Sequence, residues 1–287
     1  MKPIALVTAR EAGTLDDDLE PLLVALRAEG ADAEPAIWDD PHVDWGRFEL
    51  AVLRSTWDYS RRRPEFLAWA TDVEARVRLA NPARIVRWNT DKHYLAELAA
   101  AGVPTVPTHF LEPGQTIHFP FGGEFVVKPT VGAGSMDVGR FPEPGLAAME
   151  HVQRLHRSGR SAMIQPYLKR VDESGETALV HFGGEFSHAI RKGPMLGPSR
   201  EVMGGLFLKE DIRPRTPSPA ERDLGQRALK AAPEPCLYAR IDVIPGPDGS
   251  PVVLEFEATE PSLFFAHSPG SAARYARCIL DWATRSR

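Results

Sequence analysis

Leu237-Tyr238-Ala239-Arg240-Ile241-Asp242-Val243, followed by Val252-Val253-Leu254-Glu255-Phe256-Glu257, is the stretch on which the reading of this chain turns. Successive side chains of a strand point to opposite faces, so these runs read as two strands with one apolar and one charged face. Ala239, Ile241 and Val243 share a face with Leu254 and Phe256, while Arg240 and Asp242 point the other way with Glu255 and Glu257. Asp248-Gly249 reads as a two-residue turn. That turn sets Asp242 opposite Glu255 and Arg240 opposite Glu257. Three carboxylates then crowd one face with a single arginine. Like charges that close raise each other's pKa unless a cation intervenes, and a hard divalent ion with oxygen ligands serves. The plainer alternative is a solvated polar face balanced by Arg240; the apolar flanks of both runs favour a metal site.

Upstream of this hairpin the pattern is also antiparallel. Gly183-Gly184 separates two alternating strands as a hairpin turn does. Ala162-Met163-Ile164-Gln165 and Glu124-Phe125-Val126-Val127-Lys128-Pro129 read as strands, with a helix near residues 144–157 between them. The loop Thr130-Val131-Gly132-Ala133-Gly134-Ser135 follows Lys128, and small residues there let backbone N–H groups close on phosphate oxygens. It has neither the P-loop spacing nor Gly-x-Gly-x-x-Gly, so alone it is weak evidence. Thr90 is placed to cap a short helix carrying Lys92, Tyr94, Leu95 and Leu98 that ends at Gly102; Val103 to Pro107 is then an extended connector. Residues 194–220, rich in Pro and Gly, read as a long loop, and a last helix runs from Ser271 to Thr284.

The first 90 residues differ. Ile4-Ala5-Leu6-Val7, Ala36-Ile37-Trp38, Leu50-Ala51-Val52-Leu53 and Ile85-Val86 read as strands. Between them lie a helix from Leu15 to Leu26, with Thr14 as cap and Gly30 as stop, and a helix opened by Pro64 with Phe66, Leu67, Ala70 and Val73 on one face. Apolar strands alternating with amphipathic helices predict a parallel sheet covered on both sides. Such sheets bind ligands beyond the carboxyl ends of their strands, where Arg54-Ser55-Thr56-Trp57-Asp58-Tyr59 sits. Thr56, Asp58 and Tyr59, with Ser262, are the substrate-contact candidates.

The bulk properties exclude several classes. With 287 residues, 43% hydrophobic and 25% charged, the chain is neither disordered nor confined to one small core. A net charge of −5 offers no basic surplus for nucleic acid, and no apolar run approaches the roughly 20 residues that span a bilayer. Two cysteines, Cys236 and Cys278, predict a reduced, cytoplasmic protein.

The order Lys92, Lys128 with its glycine loop, Gln165-Pro166-Tyr167-Leu168, Arg191, Arg240, Asp242 and Glu255-Phe256-Glu257 resembles the ATP-grasp superfamily of carboxylate–amine ligases over residues 85–287. The first 85 residues resemble the domain that usually precedes it. The resemblance implies an α/β chain, α+β in its C-terminal lobes, organised as an N-terminal parallel-sheet substrate domain (1–89), a central lobe with the glycine loop (90–165) and a C-terminal lobe with the metal site (166–287). It implies that Lys92 and Lys128 hold ATP phosphates under a flap containing Gly132, Gly134 and Ser135. Gln165, Pro166, Tyr167 and Leu168 would meet adenine and Glu176 the ribose. Arg191 and Arg240 would steady the transferring phosphoryl group, and Asp242, Glu255 and Glu257 would hold Mg²⁺. Gln165 stands where Glu is common, and Glu257 where Asn is common.

Arg54 to Tyr59, Asn89-Thr90-Asp91-Lys92 and Leu254 to Leu263 are similar to the cyclo-ligase group that makes D-cycloserine from O-ureido-D-serine. That similarity implies an ATP- and Mg²⁺-dependent ring closure through an acyl phosphate. The expected partner is a small amino acid, without nucleic acid or membrane, and a homodimer stays open. The rivals are a ligase joining a carboxylate to a separate amine, a non-catalytic nucleotide-binding protein, and a dinucleotide oxidoreductase. The missing glycine fingerprint argues against the last.

Overall fold

Ile4–Thr8 (β1), Ala33–Ile37 (β2), Leu50–Ser55 (β3) and Arg78–Ala80 (β4) pair in parallel in the order β2-β1-β3-β4. The computed structural model describes residues 2–12, 15–134, 136–193 and 211–285. Every residue of β1 and β3 is buried, as strands covered on both faces require. Leu19–Ala28 (α1) and Arg63–Arg76 (α2) supply much of that cover through Leu22, Leu23 and Leu26 and through Phe66, Ala70 and Val73. Helix α1 starts later than its leucine spacing suggests, leaving Leu15 exposed; the proposed cap, Thr14, lies outside the described residues.

The fourth strand is not where the apolar pair predicts it. Ile85-Val86 lies inside the helix Ala83–Asn89 (α3), and the strand is β4, just before it. Two buried apolar residues carry no period, so the pair cannot tell strand from helix. Thr90 closes α3 rather than opening the next helix, Tyr94–Ala100 (α4), and its hydroxyl accepts from Arg63 Nε at 2.9 Å.

His109–Leu111 (β5), Phe125–Pro129 (β6), Gly139–Phe141 (β7) and Ala162–Pro166 (β8) form an antiparallel sheet in the order β5-β8-β6-β7. Leu146–Arg157 (α5) covers one face, packing Ala148, Val152 and Leu155 on Phe125, Val127 and Ile164. After Val171–Ser174 (α6) comes a second antiparallel sheet of Glu176–Phe182 (β9), Glu185–Lys192 (β10), Ile212–Arg215 (β11), Tyr238–Pro245 (β12) and Pro251–Glu257 (β13), ordered β11-β10-β9-β12-β13. Pro219–Ala231 (α7) covers its back, opened by a Ser218/Glu221 capping box. Residues 194–210 of the expected long loop lie outside the described residues, and its end forms β11.

Helix α4, which the sequence reading groups with the central lobe, packs on this C-terminal sheet through Leu95 and Leu98. The connector after it is pinned to β13, with Val106 N–H donating to the Val253 carbonyl and Val253 N–H to the Pro104 carbonyl, both at 2.9 Å. The last helix, Ser271–Thr284 (α8), turns back to the N-terminal sheet and buries Tyr275, Ala276 and Ile279 in the same core as β1 and β3.

Each hairpin of the C-terminal sheet carries one extra residue. In β10 the register slips between Phe186 and His188, leaving Ser187 over; in β13 it slips opposite Asp242/Val243, leaving Leu254 over. The turn between β12 and β13 is also longer than two residues, since Gly246 N–H bonds to the Ser250 carbonyl at 2.7 Å. The longer turn shifts the register by one, and the bulge at Leu254 shifts it back. Asp242 therefore faces Glu255 and Arg240 faces Glu257 as expected, but Leu254 points to the charged face and Val253 takes its place in the apolar core.

Candidate active site

The two antiparallel sheets enclose a cavity of about 440 Å³, closed at one end by the N-terminal domain. Its floor is the charged face of β9, β10, β12 and β13. Oxygens of Asp242, Glu255 and Glu257 lie within 4.8 Å of one another. Three cations of the chain sit against them. Lys92 Nζ is 2.9 Å from Glu255, Lys192 Nζ is 2.6 Å from Asp242 and 3.0 Å from Glu176, and Arg240 grips Asp242 at 2.9 and 3.0 Å while also bonding Glu257. An all-oxygen set of three carboxyl groups this tight fits a hard divalent ion.

The electrostatics follow from that crowding. Burial by itself would raise Glu255, but Lys92 and Lys128 pull its pKa down to about 2. Glu257 goes the other way: burial, backed by Glu255 and Asp242, lifts it to about 7 in spite of Arg240. Glu260 is pushed up to about 8 by burial and then by Glu257, although Tyr59 hydrogen-bonds to it. Burial would lower Lys92, yet Glu255 raises it. Lys128 forms no ion pair among the described residues, and burial, helped by Lys92 and Lys192, holds its pKa below the usual lysine value. A half-buried cation near the acids but locked to none of them by an ion pair is free to take a phosphate.

At one end of the cavity Val106, Leu168, Val171, Ile244 and Leu254 form an apolar slot beside the strand end Gln165-Pro166-Tyr167. At the other, Asp16, Tyr59, Ser262 and Phe264 close it. The glycine loop lies over the middle: Gly132 accepts from Lys92 Nζ at 3.0 Å, and Gly134 takes φ +63, which glycine adopts without cost.

A family model for the N-terminal domain of D-cycloserine synthetase DcsG matches residues 4–81. The cycloserine biosynthesis protein DcsG of Streptomyces lavendulae is 41% identical over 97% of this chain and 98% of its own length. The chain belongs to the D-cycloserine synthetase family of ATP-grasp ligases. The crystal structure of D-cycloserine synthetase DcsG matches it with TM-score 0.90 at 40% identity, over 98% of this chain and 99% of that one. D-alanine–D-alanine ligase from Bacillus anthracis matches with TM-score 0.72 at 14% identity, over 99% of this chain and 97% of its own, a likeness of fold. This member of the D-cycloserine synthetase family is an ATP-dependent ligase. Among its described residues no helix is long and apolar enough to cross a membrane.

Most of the residues singled out in the sequence meet in this cavity: Lys92, Lys128, Gly132, Gly134, Gln165 to Leu168, Glu176, Arg240, Glu255, Glu257, Tyr59 and Ser262 all line it. Asp242 lies beneath, fully buried. Ser135 lies outside the described residues. Three do not arrive. Arg191 points away, donating to the Ser174 and Glu173 carbonyls at 2.6 and 3.1 Å; the extra Ser187 turns its side chain to the other face and puts Lys192 opposite Glu176. Thr56 is buried behind the wall, and Asp58 accepts from Trp38 Nε1 at 2.9 Å and faces Arg62. Arg54, in the same motif, is wholly buried and bridges Asp16 and Asp18. The reading missed Lys192, Glu260 and Asp16. Glu260 follows Glu257 by three residues in a run already quoted, so its neighbourhood was visible; Lys192 depended on the bulge.

Proposed function

We propose that the chain is an ATP- and Mg²⁺-dependent cyclo-ligase that converts O-ureido-D-serine into D-cycloserine, releasing ADP, phosphate, CO₂ and ammonia. The observation that carries this reading is the single cleft in which Lys92, Lys128 and Lys192 converge on Asp242, Glu255 and Glu257. The apolar slot of Val106, Ile244 and Leu254 suits an adenine ring, and Glu176, which lines the same cavity and pairs with Lys192 at 3.0 Å, suits a ribose.

Lys92 and Lys128 from above and Lys192 from the floor would hold the phosphates. Asp242, Glu255 and Glu257 would hold Mg²⁺, which when bound offsets charge developing on the transferring phosphoryl group. A carboxylate expels hydroxide poorly; passing the γ-phosphoryl group to it makes an acyl phosphate whose phosphate leaves readily. The ureido nitrogen bonded to oxygen then forms the C–N bond of a five-membered ring as phosphate departs, and its bond to the carbamoyl carbon breaks. Water takes up that carbamoyl group, giving CO₂ and ammonia. Arg240 beside the acids would steady the acyl intermediate. Asp16, with its side chain 3% exposed and its Oδ2 unpartnered at the cavity edge, suits the substrate's ammonium. Tyr59 and Ser262 would bend the chain so that its two ends meet, which supplies the effective concentration for ring closure. The glycine loop reaches the N-terminal domain through Met136, whose sulfur takes an N–H from Arg61 at 3.7 Å, so the loop shields the reacting end from water.

The test is ADP release from O-ureido-D-serine with no other amine present. Stoichiometric D-cycloserine supports the reading; turnover only when a second amine is supplied would make the protein an intermolecular ligase.

A further inference from the structure

Asp18, at the start of α1, belongs to the N-terminal domain, yet it holds a turn on which Arg240 rests. Its Oδ2 accepts from the backbone N–H of Leu263 at 2.6 Å and of Phe264 at 3.0 Å, and its Oδ1 from that of Phe265 at 2.8 Å. Buried Arg54 stands 3.7 Å from the same carboxylate and donates to the Pro261 carbonyl at 3.3 Å. Phe264 adopts φ 55 and ψ 44, a left-handed conformation that a bulky side chain avoids unless its surroundings impose it. Three hydrogen bonds to one buried anion are such an imposition. In that conformation the Phe264 ring lies 5.5 Å from the Arg240 guanidinium, and the Ser262 carbonyl accepts from Arg240 Nη1 at 3.2 Å.

We propose that Asp18 is a positioning residue for the reaction, fixing the Arg240 guanidinium from across the domain boundary through the turn 262–265. The inference rests on the role given to Arg240 above. With an amide in place of the Asp18 carboxylate, one acceptor oxygen becomes an NH2 donor facing a backbone N–H, the three-bond grip is broken and Phe264 relaxes to negative φ. The Phe264 ring and the Ser262 carbonyl then leave Arg240. Arg240 stays attached to Asp242 and Glu257 and swings toward them, so the cost falls on the chemical step and not on nucleotide binding.

A double-mutant cycle between Asp18→Asn and Phe264→Leu tests this with turnover of O-ureido-D-serine. Each single variant is expected to lower kcat by about tenfold or more with the KM for ATP changed by less than about threefold. The double variant is expected to be no slower than the worse single, because both act through one contact. Multiplicative losses, or an Asp18→Asn variant that only melts earlier with kcat intact, would overturn the proposal. If Asp18→Asn does not fold, Phe264→Asn keeps a residue tolerant of the left-handed turn while removing the ring; full kcat in that variant also overturns it. A crystal structure of Asp18→Asn separates this proposal from the choice of substrate. Phe264 leaving the left-handed region and Arg240 losing its ring contact is the expected result. An unchanged turn refutes it whatever the substrate proves to be.

Discussion

Glu255 and Glu260 show how differently two acids five residues apart can behave in one cavity. Glu255 is held ionised, at about 2, by Lys92 and Lys128. Glu255→Gln removes one oxygen of the proposed metal set and the charge that pairs with Lys92 together; Mg²⁺-dependent kcat/KM is expected to fall by roughly 100-fold or more while the circular dichroism spectrum stays that of the native protein. Glu260, lifted by burial to about 8, is an acid the fold prefers protonated. Between its unfolded value near 4.5 and its folded value near 8 the native state binds the extra proton, so this group's contribution to stability falls as pH rises through that window. The ligand-free Glu260→Gln protein should therefore melt above wild type at pH 8.5, and the gap should close at pH 5. A gap constant across that range would contradict the assignment.

The two bulges decide which side chains reach the cavity at the scale of the strand. A two-residue turn at Gly183-Gly184 would pair Arg191 with Glu176; the extra Ser187 pairs Lys192 with it instead. Lys192→Gln should then lower kcat/KM for ATP by roughly 100-fold, whereas Arg191→Gln, which loses bonds to the 173–174 carbonyls and a half-exposed ion pair with Asp211 at 3.8 Å, should leave it within a few fold. Leu254, re-aimed by the other bulge, faces the apolar slot; Leu254→Ala should raise the KM for ATP about tenfold with kcat little changed, measured by steady-state kinetics. The alternation of Arg240, Asp242, Glu255 and Glu257 was legible in the sequence because the slip at the long turn and the slip at the bulge cancel before those residues are reached. Arg191 was misplaced because nothing in the spacing of Phe186, Ser187 and His188 announces an inserted residue. Ile85-Val86 was misread for a different reason: a short apolar pair fits helix and strand equally well. The final helix, with a full stripe of Tyr275, Ala276 and Ile279, was read at its observed bounds.

Taken whole, the molecule is tied together by side chains that cross between its sheets. Asn81, after β4, donates to the Tyr238 and Ala258 carbonyls at 2.9 and 2.7 Å and accepts from Leu237 N–H at 2.6 Å. Asn81→Ala orphans buried groups of the C-terminal sheet, and urea unfolding should show a loss of about 2–4 kcal/mol. Helix α8 binds the N-terminal domain and the C-terminal sheet into one core by packing on α1 and on β9 and β10. On a ribosome, the N-terminal strands emerge long before that helix does. The nascent domain must wait with α1 lacking its partner helix and the shared core lacking Tyr275, Ala276 and Ile279, so early release or a premature stop before Ser271 would hand an adhesive half-built domain to chaperones and proteases.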